Sequence, residues 1–511
     1  MSTDVASTSF SPTPSADASS AVSVEVASSV PDGATVLGVL VGASGDVPGE
    51  VGLDRSRLEA SGFDASVGAT LVLPTSSGPT IVAVGAGEPA GLDTAALRNA
   101  AAAFARTASS HAELTFSLTG SGADTMPAEM AAQAVVEGAL LARYRYDPLR
   151  RPPKGPALTR LTLVVGADKV EAVRAGTDRG RLMASVTRLA RDLANTPHSH
   201  LTAARLAEVA TELASDRGLE VEVFDKEDLL EMGCGGLLGV NAGSAEPPRM
   251  IKLTYRPSGT PPVGRLALVG KGIMYDSGGL ALKPGDEVHA QMKNDMSGAA
   301  AILAAMSVLS DLDCPSAVTG FLMCTDNMPS GTAMALGDVI TMRGGTTVEV
   351  INTDAEGRLV MADALVLATE EPADAIVDIA TLTGACMRAL GTQVAGVMGN
   401  DQGLVDQVRT AADATDEPVW QLPLEQRYRK ELDSSVADLK NLGGANAGAI
   451  TAGLFLAEFV GDTPWAHVDI AGTAQTPADA GWQTVGCSGF GARLLVQLAM
   501  DFEPPKAMPR S

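Results

Sequence analysis

Two carboxylates and a guanidinium lie close together in the segment 352–359 (NTDAEGRL), where a β-like run changes into a helical one. The three charged residues are Asp354, Glu356 and Arg358. Carboxylates are the ligands that hard divalent cations prefer, and a guanidinium matches the geometry of an anionic group. This segment is therefore the first candidate for a catalytic site.

A second polar cluster lies upstream, in the segment 271–283 (KGIMYDSGGLALK), and contributes Lys271, Asp276 and Lys283. Asp295 follows it in the sequence MKNDMSG. Together with the two acids of NTDAEGRL these make four carboxylates, and each like-charged neighbour disfavours the ionisation of the others. Two divalent metal ions would balance four carboxylates, so the sequence predicts a two-metal hydrolase.

The types of candidate ligand limit which metal ions the site can bind. The chain has 5 His and lacks the HExxH pair of a mononuclear zinc site. A carboxylate-rich site with one nitrogen ligand accepts Mn²⁺, Zn²⁺, Mg²⁺ or Co²⁺. Lys271 can be that nitrogen ligand only if a neighbouring dication lowers its pKa from about 10.4. The alternative is an ion pair between Lys271 and Asp276, and the sequence leaves both interpretations open.

The first half of the chain alternates strand-like and helix-like segments. The predicted strands are 34–43, 69–74, 80–87 and 161–167. The predicted helices, whose apolar residues recur at helical spacing, are 92–108 and 126–146. The alternation predicts a sheet covered by helices, and with few acids or histidines in clusters this half is expected to be a scaffold. A helix over 170–197 is expected to link the two halves.

The second half resumes the alternation. Its predicted strands are 221–225, 250–255, 265–272, 317–326, 346–353 and 375–384, and its predicted helices include 297–312 and 358–370. Lys271 follows the strand-like run LALVG, Asp354 and Glu356 follow VEVINT, and Thr381 follows IVDIA. Ligands in open α/β sheets gather outside the carboxyl ends of strands, so these groups are expected to meet at one edge of the sheet. Asp295 precedes a predicted helix, where it can be a metal ligand or a helix cap.

Charge and composition limit the partners. The net charge of −24 argues against a surface for nucleic acid or anionic membrane, since both require a basic face. Residues 1–30 lack the basic start and apolar core of a secretory signal, and we expect a flexible tail there and a cytoplasmic protein. No apolar run reaches the roughly 18 residues of a membrane span. The five cysteines include no CxxC pair and are expected to be buried and reduced.

Six segments make the chain resemble the leucyl aminopeptidase (cytosol aminopeptidase) family. They are GKGIMYDSGGLALKPG (270–285), MKNDMSGAAAIL (292–303), NMPSG (327–331), NTDAEGRL (352–359), DIATLTGA (378–385) and DLKNLGG (438–444). They follow one another in family order, and NTDAEGRL is a highly specific signature. The resemblance implies an aminopeptidase that removes leucine and other neutral N-terminal residues from peptides, with two metal ions per subunit in a homohexamer.

The expected fold is α/β with two domains. A smaller N-terminal α/β domain is predicted at 31–180, after the tail at 1–30. A larger C-terminal catalytic α/β domain, with a mixed central sheet covered by helices, is predicted at 181–511.

The resemblance also implies individual roles for the charged residues. It makes Asp276 and Glu356 the carboxylates that bridge the two metals. Lys271 and Asp295 would complete the tightly held site, and Asp354 would complete the more exchangeable one.

Two further residues, Lys283 and Arg358, match the family's catalytic positions. Lys283 is expected to stabilise the developing oxyanion, and Arg358 to hold a bicarbonate ion. An ion pair of Arg358 with Glu356 or Asp354 is the alternative. The pocket for the substrate's first side chain is expected to be lined by Met292, Thr381, Gly384 and Ala471.

The chain departs from the family pattern in the loop between Lys283 and Asp295, which is one residue longer than usual. His289 lies in this loop and is expected to be exposed and not a ligand. Two other functions are considered: a DNA-binding hexameric regulator of the same family, and a two-metal phosphoesterase. The acidic composition argues against both.

Overall fold

The structure, a computed structural model, describes residues 10–17, 21–119, 126–151, 155–215, 217–259 and 261–505. The chain divides into two compact units. Among the described residues, the first consists of those from Phe10 to Arg188 together with Thr476–Gly486, and the second of Leu189–Gln475 and those from Cys487 onward. The change between units falls inside one helix, Val170–Asn195, at the place where a linking helix is predicted.

The first unit contains a mostly parallel sheet. Its strands are β1 (Ser23–Ala27), β2 (Val36–Val41), β3 (Thr70–Leu73), β4 (Thr80–Gly85), β5 (Glu113–Ser117) and β6 (Arg160–Val164). The helices are α1 (Arg55–Ala60), α2 (Thr94–Thr107), α3 (Ala128–Ala142) and the start of α4 (Val170–Asn195). The strand order is β1-β6-β5-β2-β4-β3, and only the pairing of β3 with β4 in this sheet is antiparallel among the described residues.

Two strands of this sheet differ from the sequence-based expectation. β1 lies inside the segment expected to be a flexible tail, because its alternating valines and polar residues (SVEVA) pair along their whole length with β6. β5 was not predicted, because five residues between two helices give too little periodicity to recognise. The strands predicted at 34–43, 69–74, 80–87 and 161–167 are confirmed as β2, β3, β4 and β6.

The second unit is built on an eight-stranded mixed sheet. The strands from residue 220 onward, which also form a three-stranded and a two-stranded sheet, are in chain order β7 (Glu220–Phe224), β8 (Arg249–Tyr255), β9 (Arg265–Asp276), β10 (Ala317–Asn327), β11 (Val339–Thr341), β12 (Thr347–Glu349), β13 (Ala375–Ala380), β14 (Ala395–Gly399), β15 (Val419–Gln421), β16 (Leu439–Lys440), β17 (Trp465–Asp469), β18 (Gln475–Thr476) and β19 (Gly486–Cys487). The central sheet has the order β15-β14-β17-β13-β9-β10-β8-β7, which confirms the mixed sheet.

Helices cover this sheet. They are α5 (Ala203–Ala214), α6 (Lys226–Glu231), α7 (Gly235–Asn241), α8 (Glu287–Ala290), α9 (Ser297–Met306), α10 (Gly357–Glu370), α11 (Gly384–Leu390), α12 (Gln402–Thr415), α13 (Gly448–Ala457) and α14 (Ala492–Met500). α9 is buried along its whole length, in keeping with its run of alanine, isoleucine, leucine and methionine. None of the helices in the described part of the chain is both long and apolar enough to cross a membrane.

Three parallel neighbours, β13, β9 and β10, bring their carboxyl ends to one edge of the central sheet. The expectation that Lys271 follows a strand is wrong, because β9 continues past it and ends at Asp276. The extension occurs because β10 pairs with β9 over the same length, through an irregularity, as far as the pair Asn327 and Asp276. Lys271 therefore projects from within a rigid strand.

The strand predicted at 346–353 is mostly a loop. Only Thr347–Glu349 forms a strand, β12, and it belongs to a separate three-stranded sheet of order β11-β12-β16. The prediction that Asp354 and Glu356 follow a strand of the central sheet is therefore wrong. These acids approach the edge of the central sheet on a loop that leads into α10.

Candidate active site

Lys271 lies between two carboxylates at the edge of the central sheet. Its Nζ is 2.8 Å from Asp295 Oδ2 and 2.7 Å from Glu356 Oε1, and it donates to the Thr381 carbonyl at 2.9 Å. A β-carbon at Gly357 would lie 2.7 Å from this nitrogen, so the bare backbone there is what leaves room for the amine. Asp276, the alternative partner considered from the sequence, is paired with a different lysine.

That second lysine is Lys283, which also lies between two carboxylates. Its Nζ is 2.7 Å from Asp276 Oδ2 and 2.5 Å from Asp354 Oδ1. One oxygen each of Asp276, Asp354 and Glu356 lies within 4.8 Å of the others, a spacing that could hold a metal ion. The four predicted acids and two predicted lysines thus form one group, which we call the lysine–carboxylate cluster.

The pKa values in this cluster show a shortage of positive charge. Burial, together with the neighbouring charge of Asp276, raises the pKa of Glu356 to about 8. Burial, followed by the charge of Asp276, also holds the pKa of Asp354 above its ordinary value. Burial alone would lower the pKa of Lys271, but the carboxylates of Asp295 and Glu356 raise it well above the ordinary lysine value. Carboxylates that resist ionisation and an amine that retains its proton indicate that the cluster favours additional cations.

Asp295 lies in the 3₁₀ turn Met292–Met296, directly before α9. Its Oδ1 accepts a hydrogen bond from Thr381 Oγ1 at 2.7 Å, and its Oδ2 faces Lys271. No side chain caps the start of α9. The helix-cap interpretation of Asp295 is therefore wrong, and its carboxylate belongs to the cluster.

Arg358 lies in the first turn of α10 and is 4% exposed. Its Nε and Nη1 are buried and have no hydrogen-bond partner in the described part of the chain. Burial lowers the pKa of the guanidinium to about 10, although the charges of Glu356 and Asp469 raise it. The expected alternative, an ion pair closed onto Glu356 or Asp354, is not formed between these described residues, so donors remain available to a small anion.

The four residues expected to line a substrate pocket have different surroundings. Thr381 contacts the cluster directly through its bond to Asp295, and Met292 begins the turn that carries Asp295. Gly384 is exposed at the start of α11, and Ala471 is half-buried. Within the described residues, only Thr381 of these four is hydrogen-bonded to the cluster, and a shared pocket for the four stays a prediction.

His289 is not exposed as expected. It is half-buried in the short helix α8, and its ring stacks on Tyr275 with the ring centroids 5.8 Å apart. The ring of His198 contacts the same tyrosine at 5.3 Å. Tyr275 directly precedes Asp276 at the end of β9, and its ring gives the lengthened loop a surface to pack on.

The sequence reasoning missed two residues that support the cluster. Asn327 donates through Nδ2 to Asp276 Oδ1 at 2.8 Å. Asp469 accepts from Thr383 Oγ1 at 2.7 Å and from the Ala471 backbone N–H at 3.1 Å, which ties together the loops after β13 and β17. The available signal was their position at strand ends, where an isolated Asn or Asp is more often a turn residue.

Comparison with known proteins gives family matches over both units. The model of the cytosol aminopeptidase family catalytic domain matches residues 188–496, and that of the same family's N-terminal domain matches residues 55–153. A probable cytosol aminopeptidase of a Synechococcus species is 44% identical over 432 residues, covering 83% of this chain and 84% of that protein. One of Streptomyces coelicolor is 42% identical over 504 residues, covering 91% and 95%.

A solved structure is similar over almost the same length. The bottromycin maturation enzyme BotP in complex with Mn shares 38% sequence identity with this chain at a TM-score of 0.83. The match covers 91% of this chain and 99% of that one.

Proposed function

This chain belongs to the cytosol aminopeptidase family and is a metal-dependent aminopeptidase, and we propose that the lysine–carboxylate cluster is its active site. The observation that carries this proposal is the convergence of four carboxylates on only two lysine ammonium groups. The similar BotP structure is a complex with Mn, which supports metal binding by this chain.

The residues present fit two divalent cations. Three of the carboxylates offer oxygens within 4.8 Å of one another, and oxygen-rich ligand sets suit Mn²⁺, Mg²⁺, Co²⁺ and Zn²⁺. The pKa of Glu356, raised to about 8 by burial and then by Asp276, supports the same conclusion, because a bound dication would remove the repulsion. We propose Mn²⁺ or Zn²⁺ as the resident ions, with Mg²⁺ and Co²⁺ as alternatives.

We assign the metal ligands residue by residue, as the family resemblance implies. Asp276 and Glu356 would bridge the two ions. Lys271, as a neutral amine, and Asp295 would complete one site, and Asp354 the other. Asp354 is 35% exposed at its side chain whereas Asp295 is 6% exposed, which supports easier exchange at the Asp354 site.

When bound, the two cations supply Lewis acidity, which lowers the pKa of a water molecule and polarises the scissile carbonyl. Lys283 remains protonated, since the carboxylate of Asp276 raises its pKa even though burial lowers it. Its ammonium would donate to the carbonyl oxygen as negative charge develops there, a contribution of about 2.7–4 kcal/mol for a well-placed donor.

Arg358 would hold a small planar anion such as bicarbonate near the reacting water. In the described part of the chain, the buried Nε and Nη1 of this guanidinium have no hydrogen-bond partner, which supports this role because a guanidinium donates several N–H groups to planar oxyanions. Such an anion would serve as the base for which no free histidine or carboxylate is evident in the cluster.

The substrate would be a peptide with a free N-terminus and a neutral first residue such as leucine. We propose Met292, Thr381, Gly384 and Ala471 as the lining of the pocket for that first side chain. A cytoplasmic location and a homohexamer are also proposed, from the family resemblance; sedimentation of the purified protein measures the second.

Chelation followed by dialysis should inactivate the enzyme towards an aminoacyl amide, and Mn²⁺, Co²⁺ or Zn²⁺ should restore it. The reason is that the uncompensated carboxylates cannot activate water by themselves. The measurement is hydrolysis rate against metal content from elemental analysis, with a sample dialysed without chelator as control. Full activity in protein shown to be free of metal would exclude the proposal.

Metal binding should release more protons at low pH than at high pH. Glu356, with its pKa raised from an ordinary 4.5 to about 8, retains a proton in the metal-free protein at neutral pH. The stabilising contribution of Glu356 to the metal-free protein is complete below its ordinary pKa of 4.5, and it is lost as the pH rises through about 8. Metal must displace this proton as well as that of Lys271, so affinity should fall as pH falls below about 8.

Calorimetric titration of Mn²⁺ in buffers of different ionisation enthalpy measures the released protons. We expect about one more proton at pH near 6.5 than at pH near 9. Glu356→Gln should remove this difference. A proton count that does not change with pH in the unmodified protein would contradict the assignment of Glu356.

A further inference from the structure

The side-chain amide of Asn327 joins the two chain segments that carry most of the cluster. Its Nδ2 donates to Asp276 Oδ1 at 2.8 Å and to the Thr353 carbonyl at 2.9 Å. Asn327 ends β10 beside Asp276, which ends β9, and it is 3% exposed. Thr353 directly precedes Asp354 in the chain. One buried amide therefore connects the end of the central sheet with the loop that carries Asp354 and Glu356, which we call the acidic loop.

Thr353 strengthens the same connection from the other side. Its Oγ1 donates to the Gly278 carbonyl at 2.7 Å and accepts from the Ala281 backbone N–H at 2.8 Å. A β-carbon at Gly279, where φ is +63°, would lie 2.8 Å from Asn327 Oδ1 and 3.0 Å from Thr353 Oγ1. The turn after Asp276 therefore packs closely against both Asn327 and Thr353.

The amide also determines how Asp276 presents its two oxygens. Oδ1 accepts from both Asn327 Nδ2 and the Gly278 backbone N–H, at 2.8 and 2.9 Å. Oδ2 is then directed to Lys283, at 2.7 Å. Two donors on one oxygen restrict the rotation of the Asp276 carboxylate, so its orientation depends on Asn327.

We propose that Asn327 is a positioning residue for the metal site, one that sets the orientation of Asp276 and its spacing from Asp354 and Glu356. This inference rests on the proposed metal binding by the cluster. Partners that orient metal ligands typically change metal affinity or activity by 10–100-fold when removed. Among the described residues, Asn327 makes no hydrogen bond to a residue assigned to the substrate pocket, so its removal acts on metal affinity and kcat and leaves KM nearly unchanged.

The test is calorimetric titration of Mn²⁺ into metal-free full-length Asn327→Ala, together with kcat and KM of the loaded protein. We expect Mn²⁺ affinity to fall by about 10–100-fold and kcat to fall while KM changes little. Asn327→Leu, which is similar in size but has no donor and adds no charge, should lose affinity by at least about 10-fold and serves if the alanine variant does not fold.

Asn241→Ala is the matched control. Asn241 is 4% exposed in the same unit, and its Nδ2 likewise donates to one backbone carbonyl (Glu246, 2.8 Å) and one side-chain oxygen (Thr325, 2.9 Å). We expect it to lower the melting temperature and to leave Mn²⁺ affinity unchanged. Equal losses of affinity in both alanine variants, or normal affinity in a folded Asn327 variant, would overturn the inference. Absence of Mn²⁺ binding by the unmodified protein would instead refute the proposed metal site.

Discussion

Asp276→Ala should abolish hydrolysis of an aminoacyl amide while the protein remains folded. The carboxylate is proposed to bridge both metals, so its loss should reduce kcat/KM by about 10³-fold or more, about 4 kcal/mol of transition-state stabilisation. The fold should survive because Lys283 keeps its second partner, Asp354, at 2.5 Å. Removing one of several crowded acids also relieves repulsion within the cluster. Glu356→Ala should behave in the same way, since Lys271 retains Asp295 at 2.8 Å.

The measurements are steady-state kinetics, bound metal per chain and the thermal unfolding transition. Asp413→Ala provides a control, because Asp413 is exposed on α12 in the same unit and should change none of them. Turnover close to that of the unmodified enzyme in a folded Asp276→Ala or Glu356→Ala protein would refute the proposed site.

Lys283→Ala should lower kcat by about 10²–10³-fold, the loss expected when one donor to a developing oxyanion is removed. Metal content should stay near normal, because Lys283 is assigned no metal. The carboxylate of Asp276 keeps the pKa of Lys283 above the ordinary lysine value in spite of burial, so the donor stays charged throughout the neutral range.

Lys252→Ala is a close control for this substitution. Its side chain is 19% exposed against 18% for Lys283, and it also faces two carboxylates, Glu222 at 3.7 Å and Glu371 at 2.5 Å. We expect normal kcat in this variant. If Lys283→Ala retained normal kcat with normal metal content, Lys283 would have no part in the mechanism.

The sequence predicted the members of the cluster better than the way they are held. Two polar clusters and the family resemblance indicated that Asp276, Asp295, Asp354 and Glu356 meet, charge balance indicated that cations lie among them, and the structure brings the four acids together. The sequence could not show that the acidic loop approaches the cluster from a different sheet. A run such as TTVEVINT has the composition of a strand whether three residues pair or all eight do.

The supporting side chains were harder to predict, for a different reason. Asn327 and Asp469 act through hydrogen bonds to residues far away in the chain, and a single buried Asn or Asp carries no local pattern. His289 was misjudged because its burial depends on Tyr275, which packs against it from the end of β9. Contacts of this kind are decided by the assembled fold and leave no periodic signal in the sequence.

Metal binding at the proposed site around Lys271 and Lys283 would make the stability of the folded protein depend on the supply of divalent metal ions. A ligand that binds the native state and not the unfolded chain stabilises it by mass action, about 2.7 kcal/mol at a hundredfold excess over its dissociation constant. Cells starved of transition metals would therefore hold a pool of this protein that is both idle and easier to degrade. Scarcity would remove the protein as well as its activity.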